Sequence, residues 1–72
     1  MIPLDVTERR LAGQSAVKVW REHRGLTQDQ LAKASKVSRA MVAAIEARHK
    51  KGGIGTLKKL AAALKVDLDN LA

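Results

Sequence analysis

The chain has 72 residues and a formal charge of +7, with no cysteine, two histidines and Trp20 as its one aromatic residue. That length allows one small domain with a marginal core, and with no Cys and only His23 and His49 neither a disulfide nor a zinc site is open to it. An apolar set built from Ala, Leu and Val suits packed helices. It argues against a β-sandwich or barrel, and against modules that stack single-stranded bases on aromatic rings. No apolar run approaches the roughly 20 residues that span a bilayer. Pro3, Asp5 and Glu8 interrupt any signal peptide, so a cysteine-free, unsignalled chain is expected in the cytoplasm.

Residues 1–14 read as an adapter segment preceding a domain over 15–72. Pro3 suits the first turn of a short helix, with Leu4, Val6, Leu11 and Ala12 on a weak apolar side and Gly13 as a left-handed end. A frayed tail is the alternative. Ser15 is the expected cap of a helix over about Ala16–Arg24. In it Val17 and Trp20 face the core, while Lys18, Arg21, Glu22 and His23 lie mostly outside. Gly25 ends that helix and Leu26 closes over the core.

Thr27 to Glu46 is the centre of the chain. Thr27 and Gln30 have the spacing of a capping box. Leu31, Ala32 and Ser35 give the following helix one narrow buried stripe. Ser38 caps a second helix, running to about Arg48 or His49, with Val42 and Ile45 inward and Met41 beside them. Its opposite face carries Arg39, Ala40, Ala43 and Ala44. Two helices joined by so short a turn are a helix-turn-helix, whose second helix can lie in a DNA major groove.

Lys50-Lys51-Gly52-Gly53 is a basic loop. Gly55-Thr56 is the expected cap of a helix over Leu57–Lys65, where Leu57, Leu60, Ala61 and Leu64 form a clear amphipathic stripe. Asp67 then caps a last short helix that returns Leu68 and Leu71 to the core. The expected fold is therefore all-α, a compact bundle of about five short helices, or six if the N-terminal segment also folds. Positive charge at this level suits either a polyanionic partner or a merely soluble basic domain, and its distribution decides. From Lys33 to Lys51 six cations face one acid, Glu46, whereas the flanking segments are near balance.

Arg24 to Glu46, the basic loop and Thr56 to Leu71 together resemble the Xre/Cro-type, lambda-repressor-like helix-turn-helix domain of phage repressors and bacterial antitoxins. The resemblance spans about Ala16 to Leu71 and rests on Gly25-Leu26-Thr27-Gln28, Leu31-Ala32, Val37-Ser38, Val42, Ile45-Glu46 and the later leucines. Ile2-Pro3, Arg9 to Leu11, Gly13 and Val19 to Gly25 are similar to an antitoxin-like subset, in which this domain often follows a toxin-contacting segment. On that likeness Met1 opens either a short form or a truncated one.

The resemblance implies a transcriptional regulator, repressor or antitoxin, that binds a double-stranded operator as a homodimer with a recognition helix over about 38–48. It makes Arg39, Ala40, Ala43 and Ala44 the groove-facing positions. Of these only Arg39 suits a strong base contact, its fork matching guanine O6 and N7. It assigns phosphate contacts to Thr27, Gln28 and Ser38, and places Lys36, Met41, Arg48, Lys50 and Lys51 along the DNA backbone. Gln28 also braces the recognition helix, and Glu46 takes a structural cation, Arg24 or Arg21. Dimer surfaces are expected near Ile54 or Leu68 to Ala72. The alternative role is neutralisation of a partner toxin, with DNA binding secondary. Lys36 and Arg48 depart from the family pattern, which often has glycine at both, and imply left-handed backbone there.

The DNA assignments have plainer competitors: Arg39 and the lysines as a solvated face, and Gln28 as a helix-start residue; Trp20 reads as core rather than as a stacking platform. His23 and His49 are too isolated to hold a metal. No cofactor is implied. Gly52-Gly53-Ile54-Gly55 follows no strand and reads as a flexible loop rather than a phosphate cradle. No nucleophile–base set suggests catalysis, so the chain is not expected to be an enzyme.

Overall fold

A computed structural model describes residues 3–71. Met1, Ile2 and Ala72, to which the adapter and C-terminal dimer readings extend, lie outside the described residues. The fold is all-α: α1 (Leu4–Leu11), α2 (Ala16–His23), α3 (Gln28–Ser35), α4 (Arg39–Glu46), α5 (Ile54–Leu64) and a final 3-10 turn over Leu68–Asn70. Helices this short are not stable alone, so packing must hold them. The core gathers Val6, Val17, Val19, Trp20, Leu31, Val42, Ile45, Leu60, Ala61, Leu64 and Leu71. Leu31, Leu60 and Leu64 are fully enclosed, each contributing roughly 1.5–3 kcal/mol of burial. Around this core α3 packs on α4 and α5, and α2 on α1, α4 and α5.

Trp20 is buried as expected, with the Arg24 guanidinium 5.4 Å from its ring centroid and His23 edge-on at 5.8 Å. Its Nε1 has no hydrogen-bond partner among the described residues, so shape and the neighbouring cation hold the ring. Arg24 in turn donates from Nε to the Leu64 carbonyl at 2.9 Å. A cation thus meets one of the carbonyls left free at the α5 C-terminus, where the helix dipole favours it.

All five α-helices end alike. In each, the N–H of the residue just after the left-handed one reaches back five residues to a carbonyl: Gln14 to Arg9 (3.2 Å), Leu26 to Arg21 (3.0 Å), Val37 to Ala32 (3.2 Å), His49 to Ala44 (2.9 Å) and Val66 to Ala61 (3.0 Å). Such ends need a left-handed residue, usually glycine. Gly13 and Gly25 supply it twice, but Lys36 (φ 60°), Arg48 (φ 62°) and Lys65 (φ 59°) supply it elsewhere. The positive φ at Lys36 and Arg48 is what the departures from glycine implied; that at Lys65 is new.

Several local expectations need correction. Helix α5 starts at Ile54, not Leu57, because the Gly53 carbonyl accepts from Leu57 N at 2.9 Å and Gly53 is the cap. Ser15 and Asp67 make no side-chain cap; only their carbonyls accept, from Val19 N and Asn70 N, each at 3.0 Å. Pro3 precedes α1 instead of lying within it. Of the proposed apolar side of α1 only Val6 is buried; Leu4 and Leu11 are 72% and 84% exposed. Helix α2 stops at His23, α4 at Glu46 and α5 at Leu64, each short of its predicted end. Leu71 is buried and Leu68 half-buried, which leaves Ile54, 67% exposed, as the open apolar position among the expected dimer residues that the structure describes.

Polar contacts fix α1 to the rest. Arg9 pairs with Glu22, His23 Nδ1 lies 3.3 Å from Asp5 Oδ2, and Arg10 Nη1 donates to the Asn70 carbonyl at 2.9 Å. The hydrogen bond from Arg9 holds the Glu22 carboxyl below the ordinary glutamate range. A carboxyl lowered by folding stabilises the fold fully above its unfolded value, and loses that contribution as pH falls through the folded value. Glu22→Gln is therefore expected to flatten the acid limb of the stability curve below the ordinary glutamate range, leaving the neutral pH dependence unchanged in denaturant titrations. Lys65→Gly, at a left-handed position, is expected to raise the urea-unfolding free energy by about 1 kcal/mol.

Candidate nucleic-acid interface

The site is set by how α3 starts, how the chain turns and how α4 is held. At the start of α3 both halves of the capping box form. Thr27 Oγ1 accepts from Gln30 N at 3.1 Å, and Thr27 N donates to Gln30 Oε1 at 2.8 Å. At its end Ser35 is buried yet satisfied, donating from Oγ to the Leu31 carbonyl at 2.7 Å and accepting from Val37 N at 3.3 Å. Lys36 turns the chain, and Ser38 Oγ accepts from Met41 N at 3.1 Å to open α4. Stop and restart are thus only a few residues apart, and both are specified by hydroxyls.

One ion pair orients α4. Arg21, expected mostly outside, has a side chain only 11% exposed, and that of Glu46 is 4% exposed. Arg21 donates from Nε to Glu46 Oε2 at 2.7 Å and from Nη2 to Glu46 Oε1 at 3.0 Å. Its Nη1 donates to the Leu26 carbonyl at 2.7 Å. Gln28 Nε2 adds a bond to Glu46 Oε1 at 3.2 Å. Between the two cations proposed for Glu46 the structure therefore selects Arg21, since Arg24 is spent on α5. The hydrogen bond to Glu46 raises the Arg21 pKa, outweighing the opposing cost of burial. An acid at the C-terminal end of α4 opposes the helix dipole, so the cation is needed there.

The outward face of α4 is narrower than its sequence suggested. Arg39 and Ala40 are exposed, but Ala43 and Ala44 are half-buried because α4 packs against both α2 and α3. Arg39 is engaged: its Nε lies 3.3 Å from Asp29 Oδ1, with both side chains about two-thirds exposed (66% and 67%). Met41 is half-buried against the core and Ser38 exposed. Thr27, Gln28 and Arg39 come together around a shallow hollow of about 450 Å³ beside Arg21 and Asp29. Arg48, Lys50 and Lys51 gather elsewhere, on a second hollow with Arg10. Lys36 is exposed and lines neither. Six of the nominated residues thus fall into two groups, while Lys36, Ser38, Ala40, Met41, Ala43 and Ala44 line neither hollow. Sequence reasoning missed Asp29 as the partner of Arg39. Its one signal was an acid in the first turn of α3, and its reach depends on how the two helices cross.

Helices α3 and α4, joined through Lys36-Val37-Ser38 and flanked by α2 and α5, have the order and spacing of a helix-turn-helix domain. A helix-turn-helix family model matches residues 17–71. The chain belongs to the Xre/Cro-type, lambda-repressor-like helix-turn-helix family. No curated protein and no solved structure matches it. Members of this family are DNA-binding domains, which accords with the concentration of positive charge on and after the turn. The match begins within α2, so α1 lies outside the family core. Among the described residues no cluster of three His, Cys, Asp or Glu side chains could hold a metal ion, and no helix is long and apolar enough to cross a membrane.

Glu46→Gln keeps the shape and removes the charge. It is expected to cost about 1.5–3 kcal/mol in urea unfolding, the range for hydrogen bonds to charged groups. Glu46→Ala, which strands Arg21, should cost more.

Proposed function

We propose that this Xre/Cro-type domain is a sequence-specific transcriptional regulator, a repressor or an autorepressing antitoxin, that binds a palindromic operator as a homodimer in the cytoplasm. The observation that carries the reading is the placement of Arg39 on the free face of α4 beside the N-terminus of α3, on a helix locked by Arg21 and Glu46. In this reading α4 enters the major groove, with Arg39 on guanine and Ala40, Ala43 and Ala44 along the groove floor. Thr27 and Gln28 hold a phosphate at the N-terminal end of α3, where free N–H groups favour an anion. Ser38, Lys36 and Met41 border the backbone near the turn, and Arg48, Lys50 and Lys51 meet it beyond α4.

Arg39 must leave Asp29 to reach a base. An exposed pair is worth about 0–1 kcal/mol, so release is cheap against a bidentate base contact of about 1–3 kcal/mol. Three alanines discriminate weakly, so part of the specificity comes from DNA shape. The exposed Ile54 serves the dimer interface, which places two recognition helices one turn, about 34 Å, apart.

A second reading, neutralisation of a partner toxin, draws support from α1. It lies outside the family match and turns Leu4 and Leu11 to solvent. A toxin-like reading frame beside the gene would favour it.

Selection of bound duplexes from random DNA tests the first reading, and no enrichment or retardation at low salt would overturn it. On a selected site Arg39→Ala is expected to cost about 1–3 kcal/mol while random-duplex affinity stays unchanged. Equal loss on both would remove the base-reading role. Lys50→Ala is expected to lower the slope of log affinity against log salt by about one on any sequence.

A further inference from the structure

Away from the hollow beside Arg39, a groove of about 540 Å³ opens between α1, the start of α2 and the α4–α5 loop. Val17, Leu57 and Leu71 contribute to its apolar floor. Its rim carries Arg10, Arg48, Lys50 and Lys51, and none of the residues lining it is acidic. The loop is drawn onto this floor at Gly52, where φ is +77° and a Cβ would stand 3.0 Å from Ile45 Cδ1. Arg10 is tied down by its bond to the Asn70 carbonyl. Its charge is thereby fixed at the rim, on a helix the family core does not include.

Cations gathered on one groove with no acid among its lining residues repel one another unless an anion joins them. A purely apolar ligand would leave the rim uncompensated, and an inorganic anion would leave the floor wet. A groove of this volume has the size of a small-molecule site. We propose that it binds an amphipathic carboxylate, with a short acyl chain on Val17, Leu57 and Leu71 and its head group between Arg10 and the Lys50-Lys51 pair. A consequence, resting on the DNA reading above, is that the head group withdraws Lys50 and Lys51 from phosphate and lowers DNA affinity.

The test is an amide-resolved NMR titration of the full chain with octanoate, with octan-1-ol and acetate as separate probes. Saturable shifts centred on Val17, Gly52 and Leu71 are expected with octanoate and not with either control. Arg10→Ala should weaken octanoate binding about two- to fivefold, the scale of an exposed ion pair, and Arg10→Lys should restore most of it. Lys51→Ala, on an exposed loop, should weaken it similarly without touching the packing of α1. Absence of saturable shifts, or equal binding of octan-1-ol, overturns the proposal. So does concentration-dependent shifting of the same amides without any ligand, which would give the groove to a second copy. Saturating octanoate should weaken binding to a random duplex several-fold, and an unchanged affinity overturns the link to DNA. A chain that binds octanoate but no DNA would sink the DNA reading and leave the groove standing.

Discussion

Arg21 and Glu46 stand 25 positions apart, and their contact fixes the angle at which α4 leaves the bundle. Hydrophobic burial is non-directional, and α4 buries only Val42 and Ile45. Two aliphatic side chains on an eight-residue helix rich in alanine would tolerate rotation about the helix axis. A bidentate guanidinium–carboxylate pair does not, because its two parallel bonds fix a plane. The same guanidinium binds the Leu26 carbonyl, and the same carboxylate accepts from Gln28, so α2, the entry to α3 and the end of α4 share one polar knot. A buried pair of this kind adds little net stability, and its contribution here is geometric.

The second constraint is the way the helices stop. A chain this short cannot afford long loops, and the five-residue reach-back ends each α-helix within one turn. Where glycine is absent, the left-handed residue is in every case a lysine or an arginine: Lys36, Arg48 or Lys65. Each accepts a backbone conformation that costs about 1 kcal/mol. Each also adds a cationic residue at the C-terminal end of a helix, the end where the dipole favours positive charge. The positive charge that distinguishes this chain is thus partly a by-product of how it turns corners, and the corners at Lys36 and Arg48 bracket α4.

What could be read from the sequence was what is local. Thr27 with Gln30 and Ser38 with Met41 are bonds across three residues, so their hydroxyls announce both helix starts. The leucine stripe of α5 announced that helix, but not its beginning, because Gly53 caps through its carbonyl and leaves no side-chain signal. Lys36 and Arg48 were visible only by comparison with a family that prefers glycine there. Lys65 was hidden inside an apolar period that runs on through Val66. The pairing of Arg21 with Glu46, of Arg24 with the α5 terminus and of Arg39 with Asp29 depends on helix crossings that no periodicity encodes. The same limit explains Ala43 and Ala44, placed outward by the helical wheel and half covered once α2 and α3 close on either side. Leu4 and Leu11 erred the other way, since α1 is held by ion pairs and one valine rather than by an apolar stripe.

The division of the charged residues into two groups bears on how a small recognition helix can work. With Arg39 the one long polar side chain at the start of α4, the helix offers few ways to be wrong-footed by a base and few ways to choose one. On the proposed reading, discrimination depends less on additional contacts than on how rigidly that single arginine is presented. Arg21 and Glu46 supply the rigidity, and Asp29 parks the guanidinium beside the α3 N-terminus at an energy small enough to surrender. The cations of the α4–α5 loop lie on a different hollow from Arg39, so on the proposed reading part of the grip on the backbone is separate from the reading of a base. On that reading, this part of the grip can be altered from the α1 side without disturbing Arg39.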